Sequence, residues 1–166
     1  MLILGIDPGL QKTGWGLVHS QGHSLKYHAS GLLKTDAEQS LAERLAFLYR
    51  GLAQIIEQYA PETAAVEETF MNTNPASALK LGQARGVALC VPSVLGLEVA
   101  EYSANKIKKS IVGVGHADKK QVGMMVKRLL PGCGNIAEDE ADALAVAICH
   151  AHYGTWNAKL KLSSRA

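Results

Sequence analysis

Leu-Ile-Leu-Gly-Ile-Asp, at residues 2–7, is the stretch that decides the fold: a short apolar run that ends in an acid and is followed by a Pro-Gly pair. A run of this length bounded by a turn dipeptide is typical of a buried strand that enters a turn. Residues 14–19 and 25–34 are predicted as two further strands, with Gly22 in the turn between them. Three sequential strands joined by short turns favour an antiparallel meander.

The apolar pattern takes a helical period after the meander. Spacings of three and four predict a helix over residues 41–59, capped by Ser40 and stopped by Pro61. Strands then alternate with helices, which predicts an α/β fold with a mixed five-stranded sheet flanked by helices. The later strands are predicted at 63–67 and 97–102, the later helices at 75–91, 103–112, 117–130 and 138–153, and a loop at 131–135.

Length and composition indicate one globular domain. The chain has 166 residues, 48% of them apolar and 19% charged, and no apolar run approaches the ~20 residues of a membrane span. We predict a single domain over 1–155 and a tail over 156–166, for which disorder is an alternative. Three widely spaced cysteines favour buried or inert thiols in a reducing cytosol, so we expect a cytoplasmic protein with no membrane partner.

Four acidic residues stand where a structural role is hard to assign. Asp7 and Glu67 each end an apolar strand, while Asp139 and Asp142 lie three apart at the start of a helix, on one face. A carboxylate on a central strand must be paired, protonated or metal-bound. Clustered carboxylates suit Mg²⁺ or Mn²⁺, and two such ions about 4 Å apart are a standard device for phosphodiester hydrolysis. The sequence therefore predicts a catalytic, metal-binding site formed by these four acids.

Each acid taken singly has a structural alternative. Asp7 could form an Asx turn, Glu67 could be an exposed strand end, and Asp139 could be a helix N-terminal acid stabilised by the helix dipole. The conjunction of all four favours the metal site. His150 and His152 are two apart on a helix and therefore on opposite sides, so they are predicted to be structural.

Basic residues concentrate in one segment of a nearly neutral chain. The formal net charge is +2, yet residues 103–130 hold seven Lys or Arg residues and a single acid. A local basic band suggests a polyanionic partner. A solvated helix face that carries lysines is an equally acceptable explanation of the charge alone.

Five stretches, in order and over nearly the whole chain, resemble the RuvC resolvases, bacterial nucleases that cut four-way DNA junctions. Asp-x-Gly alone is a weak signal, but five ordered motifs at these spacings are a strong one. The first two are Ile-Leu-Gly-Ile-Asp-Pro-Gly-Leu-Gln-Lys-Thr-Gly-Trp-Gly at 3–16 and Ala-Val-Glu-Glu-Thr-Phe-Met at 65–71, and the others lie at 74–86, 112–119 and 139–145.

The resemblance implies a ribonuclease H-like fold and a role for each matching position. Asp7, Glu67, Asp139 and Asp142 would be the catalytic acids that hold two Mg²⁺ ions, with Mn²⁺ as a substitute. The DNA-binding candidates are Phe70, an aromatic residue placed against unstacked bases, Lys108 and Lys119 near the scissile phosphates, and their neighbours Lys109 and Lys120.

The resemblance also implies partners. The family cuts two strands of like polarity symmetrically as a homodimer, in recombination and DNA repair, and works with the RuvA–RuvB branch-migration complex. Gly82 and Gly86, four apart on the predicted 75–91 helix, permit close helix approach, either inside the subunit or at a dimer contact. Pro92 departs from the family pattern and is expected to kink or shorten the end of that helix.

Three other functions stay open. A ribonuclease H or YqgF-type nuclease would share the scaffold and would differ in substrate. An actin-like ATP-binding domain also begins with a strand and Asp-x-Gly, but it needs a second related half that 166 residues do not contain. A non-catalytic junction-binding module would have lost activity while keeping all four acids.

Overall fold

A computed structural model describes residues 1–68, 74–115 and 117–163, and for 155–163 it describes the backbone only. Five strands and five α-helices follow one another in the predicted order. They are β1 (Leu2–Asp7), β2 (Lys12–Gln21), β3 (Ser24–Lys34), α1 (Leu41–Tyr59), β4 (Thr63–Glu68), α2 (Pro75–Val94), β5 (Glu98–Ser103), α3 (Ala104–Val112), α4 (Lys119–Leu129) and α5 (Glu138–Ser163), with a 3₁₀ turn at Pro131–Cys133.

The strands form one mixed sheet in the order β3-β2-β1-β4-β5, which confirms the predicted fold class. The first three strands pair antiparallel as a meander, and β4 pairs in parallel with β1 on one side and β5 on the other. The register places Ile6 opposite Val66. The next residues along β1 and β4 are Asp7 and Glu67, so both acids reach the same edge of the sheet.

Each face of the sheet is covered by its own hydrophobic core. On one face, apolar residues of β1 and β4 such as Leu4 and Val66 pack with α1 and α2, in a cluster that includes Leu52 and Ala88. On the other face, the cluster joins the sheet to α3, α4 and α5, with Ile148 fully buried at its centre. This two-sided burial explains why β1 is a continuous apolar run rather than an alternating one.

Glycines of β1 and β2 bring the α5 backbone into contact with the sheet. A Cβ atom at Gly5 would lie 2.1 Å from the Ala143 carbonyl oxygen, and one at Gly14 would lie 2.1 Å from that of Asp139. Any larger residue at these positions would push α5 outwards. The close approach matters because α5 carries the acidic pair and Gly14 pairs with Asp7 in the sheet.

Two helices end later than predicted. α2 continues to Val94, past Pro92, so the predicted shortening is wrong. Pro92 lies in the last turn, where it removes only one backbone hydrogen bond, and its own carbonyl accepts from the Leu97 N–H. α5 continues to Ser163 instead of ending at 153, because Gly154 does not adopt the positive φ of a helix stop and stays within the helix. The domain boundary at 155 stays a prediction.

Helix ends elsewhere follow the capping chemistry of the sequence. α1 has the predicted bounds, with a capping box between Ser40 and Glu43. α4 begins at Lys119, two residues after the predicted start, because Asp118 forms a capping box with Gln121. No helix within the described residues combines the length and apolarity needed to cross a bilayer.

The three cysteines are free thiols, as predicted, and two of them are buried. Cys90 is the exception, because its side chain is exposed on α2.

Candidate active site

Three of the four predicted acids line one pocket at the end of the sheet. Asp7 comes from β1, Glu67 from β4 and Asp142 from the second turn of α5, and the pocket they share encloses about 260 Å³. Lys108 of α3 and Lys119 of α4 line the same pocket. The structure thus brings together three carboxylates and two ammonium groups that lie up to 135 positions apart in the sequence, the separation between Asp7 and Asp142.

Asp139, the fourth predicted acid, lies at the edge of this cluster. It is half-buried in the first turn of α5, where its backbone carbonyl and Cβ face Gly14. Its charge raises the pKa of both Asp7 and Asp142, although it is a smaller cause than burial in each case. Asp139 therefore belongs to the electrostatic cluster without lining the pocket.

Burial and mutual repulsion raise the pKa values of the pocket carboxyls. Burial, followed by the charges of Glu67, Asp142 and Asp139, raises the pKa of Asp7 from 3.8 to about 8. Burial also raises the pKa of Glu67 and of Asp142, and the ammonium group of Lys119 opposes both shifts. Carboxyls held this close without enough positive charge are typical of a functional site.

Lys119 occupies the mouth of the pocket as an ion-paired group. Its Nζ lies 2.9 Å from Oε1 of Glu138 and 3.3 Å from Oδ2 of Asp142. The hydrogen bond to Glu138 is the largest cause that raises the pKa of Lys119 well above its usual range, and it lowers the pKa of Glu138. Lys119 is 65% exposed, so it stays charged and accessible to a ligand.

The remaining predicted contact residues are spread around the site. Lys108 faces the pocket and lowers the pKa of Glu67. Lys120 lines a second cavity beside the pocket, and Lys109 is exposed on α3 without lining either one. The predicted role of Phe70 falls on a position outside the described residues.

The donor set fits a hard divalent cation, although it does not form a finished metal site. Buried carboxylate oxygens that repel one another are the ligands that Mg²⁺ and Mn²⁺ prefer, and a cation would offset the repulsion. Among the described residues, however, no three His, Cys, Asp or Glu side chains are arranged to hold an ion as they stand. Asp142 is engaged by Lys119, so metal binding would require these side chains to rotate towards one another.

Sequence reasoning missed the apolar half of the pocket. Ala104, Ile107, Val122 and Ala145 line it together with the charged groups, and the last three are buried, which reduces the solvation of the carboxyls. The spacing of Ile107 within its amphipathic helix predicts only that it is buried. Glu138, the ion-pair partner of Lys119, was also missed. The glycines of β1 and β2 were a signal in the sequence that a helix lies close to the sheet.

A mixed five-stranded sheet with acids at two adjacent strand ends and on a covering helix defines the class of ribonuclease H-like, metal-dependent nucleases. The family model described as crossover junction endodeoxyribonuclease RuvC matches residues 3–150. The chain therefore belongs to the RuvC family.

Known relatives agree with this assignment over nearly the whole chain. The RuvC of Paramagnetospirillum magneticum is 56% identical over 160 residues, covering 96% of each chain. The RuvC of Sinorhizobium fredii is 53% identical and covers 90% of this chain and 88% of its own. Thermus thermophilus RuvC, solved in complex with a Holliday junction substrate, is 31% identical with a TM-score of 0.88 and covers 95% and 96% of the two chains.

Proposed function

We propose that this protein resolves four-way DNA junctions by metal-dependent hydrolysis of phosphodiester bonds, with paired symmetric nicks in two strands of like polarity during recombination and DNA repair. The observation that carries the proposal is the pocket in which Asp7, Glu67 and Asp142 face Lys108 and Lys119. Carboxylates that can hold cations and ammonium groups that can hold a phosphate are both needed to cut a DNA backbone.

All four acids would contribute ligands to the metal ions. Asp7, Glu67 and Asp142 would supply ligand oxygens from the pocket, and Asp139 would complete the set from its edge. Two Mg²⁺ ions, for which Mn²⁺ would substitute, would supply the Lewis acidity that activates a water molecule and stabilises the leaving oxygen. The rigid strand ends fix Asp7 and Glu67, so the reacting phosphate would be positioned against the sheet.

The lysines and Phe70 would bind the substrate. Lys108 and Lys119 line the pocket, so each can donate to a phosphate oxygen next to the acids. Contacts of this kind fix the position of the backbone and carry no sequence information. Stacking of Phe70 on an unstacked base stays a prediction from the family motif.

A homodimer would match the two-fold symmetry of a four-way junction, because two active sites must face two equivalent strands. The exposed face of α2 supports it. Gly82 and Gly86 lie on this face, and among the described residues no atom comes within 4 Å of where a Cβ would stand, which favours the dimer contact over tight packing inside the subunit. Leu79 and Val94 on the same helix are 66% and 65% exposed, which is unusual for large apolar side chains.

The proposed substrate also indicates a cellular location and a partner complex. A nuclease that acts on junctions works where the chromosome is, which places it in the cytoplasm, and the RuvA–RuvB complex would deliver the junctions. These two assignments rest on the proposed substrate and on the family.

A mobile four-way junction with each arm labelled in turn tests the proposal. Incubation with the protein and Mg²⁺ should give paired nicks at symmetry-related positions, and EDTA should stop the reaction. A linear duplex of the same sequence and an RNA–DNA hybrid are the controls. Preferential cutting of the hybrid would favour a ribonuclease H, and junction binding without nicks in Mg²⁺ or Mn²⁺ would favour a non-catalytic module.

A further inference from the structure

A second cavity runs beside the candidate active site, between α4 and the start of α5. We call it the α4–α5 groove; it encloses about 470 Å³ and its lining includes Lys120, Gly123, Met124, Lys127 and Ile136. Lys119 and Asp142 line both this groove and the carboxylate pocket, so the two cavities adjoin.

Charged and apolar side chains alternate along the face of α4 that lines the groove. Lys120, Met124 and Lys127 are spaced by four and three residues on α4, which puts them in one row. Met124 is 67% exposed, although the opposite side of the helix buries Val122 and Val126 in the core. An exposed methionine between two lysines, with half-buried Ile136 across the cavity, offers a soft apolar surface flanked by positive charge.

Positive charge in the groove is uncompensated. Its two acidic lining residues, Glu138 and Asp142, are both engaged by Lys119. Within the described part of the chain, neither Lys120 nor Lys127 forms an ion pair. Two ammonium groups without an acidic partner would attract an anionic ligand. The DNA backbone that enters the candidate active site is such a ligand.

From this placement we propose that the α4–α5 groove holds the nucleotides that flank the scissile phosphate on the strand being cut, with phosphates on Lys120 and Lys127 and a base or sugar on Met124. The proposal rests on the junction-cutting function proposed above and names a strand-binding subsite for it. Lys120 and Lys127 are separated by seven residues, about 10 Å along the helix axis, which exceeds the ~3.4 Å axial rise per phosphate of one strand, so the two lysines would hold different phosphates.

Two kinds of variant test separately the positive charge of the groove and the space inside it. The double variant Lys120→Ala with Lys127→Ala removes both phosphate contacts, so junction binding measured in Ca²⁺ should weaken about tenfold and the slope of log K against log salt should fall by about 1.4–1.8. Lys26→Ala is the charge control, because Lys26 is exposed on β3 at the opposite end of the sheet and should leave both quantities unchanged.

Gly123 allows the groove to be filled without changing its charge. A Cβ at Gly123 meets no atom of residues 1–68, 74–115 or 117–154 within 4 Å, so Gly123→Leu should extend into the groove without disturbing the fold. We expect this variant to raise KM for the junction several-fold. Gly123→Ala adds only one methyl group and should behave as wild type or slightly better in stability, since alanine favours a helix.

Photocrosslinking provides a direct readout. Junctions with 5-iododeoxyuridine at single positions next to the scissile phosphate should crosslink to the peptide that contains Met124, as located by mass spectrometry, and Gly123→Leu should suppress that crosslink. The inference is overturned if the groove variants bind with the wild-type affinity and salt slope and no crosslink reaches α4. Failure of the wild-type protein to nick junctions at all would instead contradict the proposed function.

Discussion

The central sheet buries polar side chains at both of its ends, but with different partners. At one end, the carboxyls of Asp7, Glu67 and Asp142 face one another and raise one another's pKa values. At the other end, about 13 Å away along β4, His150 is 7% exposed and has a partner for each ring nitrogen. Both ends are covered by the same helix, α5.

The histidine end is a closed hydrogen-bond network. The Thr63 hydroxyl donates to the Glu98 carbonyl at 2.9 Å and therefore accepts from Nε2–H of His150 at 3.1 Å. The Tyr102 hydroxyl, 2.8 Å away, then donates to Nδ1. Every polar atom of the ring is satisfied with the imidazole neutral, and burial lowers the pKa of His150 accordingly. This network confirms the structural role predicted for His150, and His152 is exposed.

The contrast distinguishes stability from function. A buried polar group whose hydrogen bonds are all satisfied stabilises one conformation. Carboxyls that repel one another destabilise the fold, and they are found where the site needs them to bind a ligand. Substitutions at the two ends should therefore have opposite effects: those at the carboxylate end remove activity and relieve strain, and those at the histidine end remove stability and leave the chemistry intact.

The largest effect is expected for Asp7→Asn. The amide is nearly the same size but cannot replace an anionic ligand, so several kcal/mol of transition-state stabilisation should be lost, a decrease of about a thousandfold or more in the nicking rate. The measurement is single-turnover cleavage of a labelled four-way junction in Mg²⁺. Junction binding in Ca²⁺ serves as the control and should stay close to wild type. Nicking at the wild-type rate would remove Asp7 from the proposed metal ligands.

His150→Ala is expected to have the next largest effect, on stability. It deletes a buried ring and leaves the Tyr102 hydroxyl without its partner, which together should lower the free energy of unfolding by about 3 kcal/mol. Urea titration followed by circular dichroism measures the change. His152→Ala, two residues further along α5 and exposed, is the matched control and should change stability little. Equal effects of the two variants would contradict the assigned role of the network.

The sequence predicts the carboxylate end better than the histidine end, for a physical reason. An acid that ends an apolar run, as Asp7 and Glu67 do, conflicts with burial, and such a conflict is visible without a structure. His150 is compatible with its local pattern, because a histidine on a helix is common. Its role becomes visible only when the fold brings Thr63 and Tyr102 to it, from 87 and 48 residues away.

The fold itself was predictable because its patterns are local. Strand and helix order, the bounds of α1 and the mixed sheet follow from hydrophobic period, capping residues and turns. The end of α5 and the continuation of α2 past Pro92 were not predicted, because Gly154 and Pro92 are typical helix stops and packing allows each helix to continue through them. The α4–α5 groove required the structure, since Met124 and Ile136 come from separate elements.

The pH dependence of stability should differ in sign between the two ends when no metal is bound. The folded protein keeps the Asp7 proton between its unfolded pKa of 3.8 and its folded pKa of about 8, so stability falls as pH rises through that window. The lowered pKa of His150 acts in the opposite direction, because the unfolded chain binds the proton first and stability is lost as pH falls below about 6.5.

Asp7→Asn should therefore stabilise the metal-free protein at pH 8, by about 2 kcal/mol, because it removes one of the buried charges. Thermal unfolding in EDTA at pH 4 and pH 8 measures this: the gain of the variant should be small at pH 4, close to the unfolded pKa of 3.8, and larger at pH 8. A variant less stable than wild type at pH 8 would mean that the carboxyls are not in repulsion.

The smallest effect is expected for Tyr102→Phe, which removes one hydroxyl from the network and keeps the ring. Nδ1 of His150 loses its donor, at a cost of about 1 kcal/mol in the free energy of unfolding. Thr63→Val should cost more, because it removes both the acceptor of Nε2–H of His150 and the hydroxyl that donates to the Glu98 carbonyl. Urea titration gives the order, and Tyr49→Phe, at an exposed ring, is the control. Thr63 lies at the far end of β4, and although Tyr102 pairs with Glu67 in the sheet, the hydroxyl that is removed contacts His150. Both variants should therefore nick junctions within about twofold of the wild-type rate once folded. A specific loss of nicking in Tyr102→Phe would show that the histidine network is coupled to the carboxylate end, which is the result that the separation of stability from function rules out.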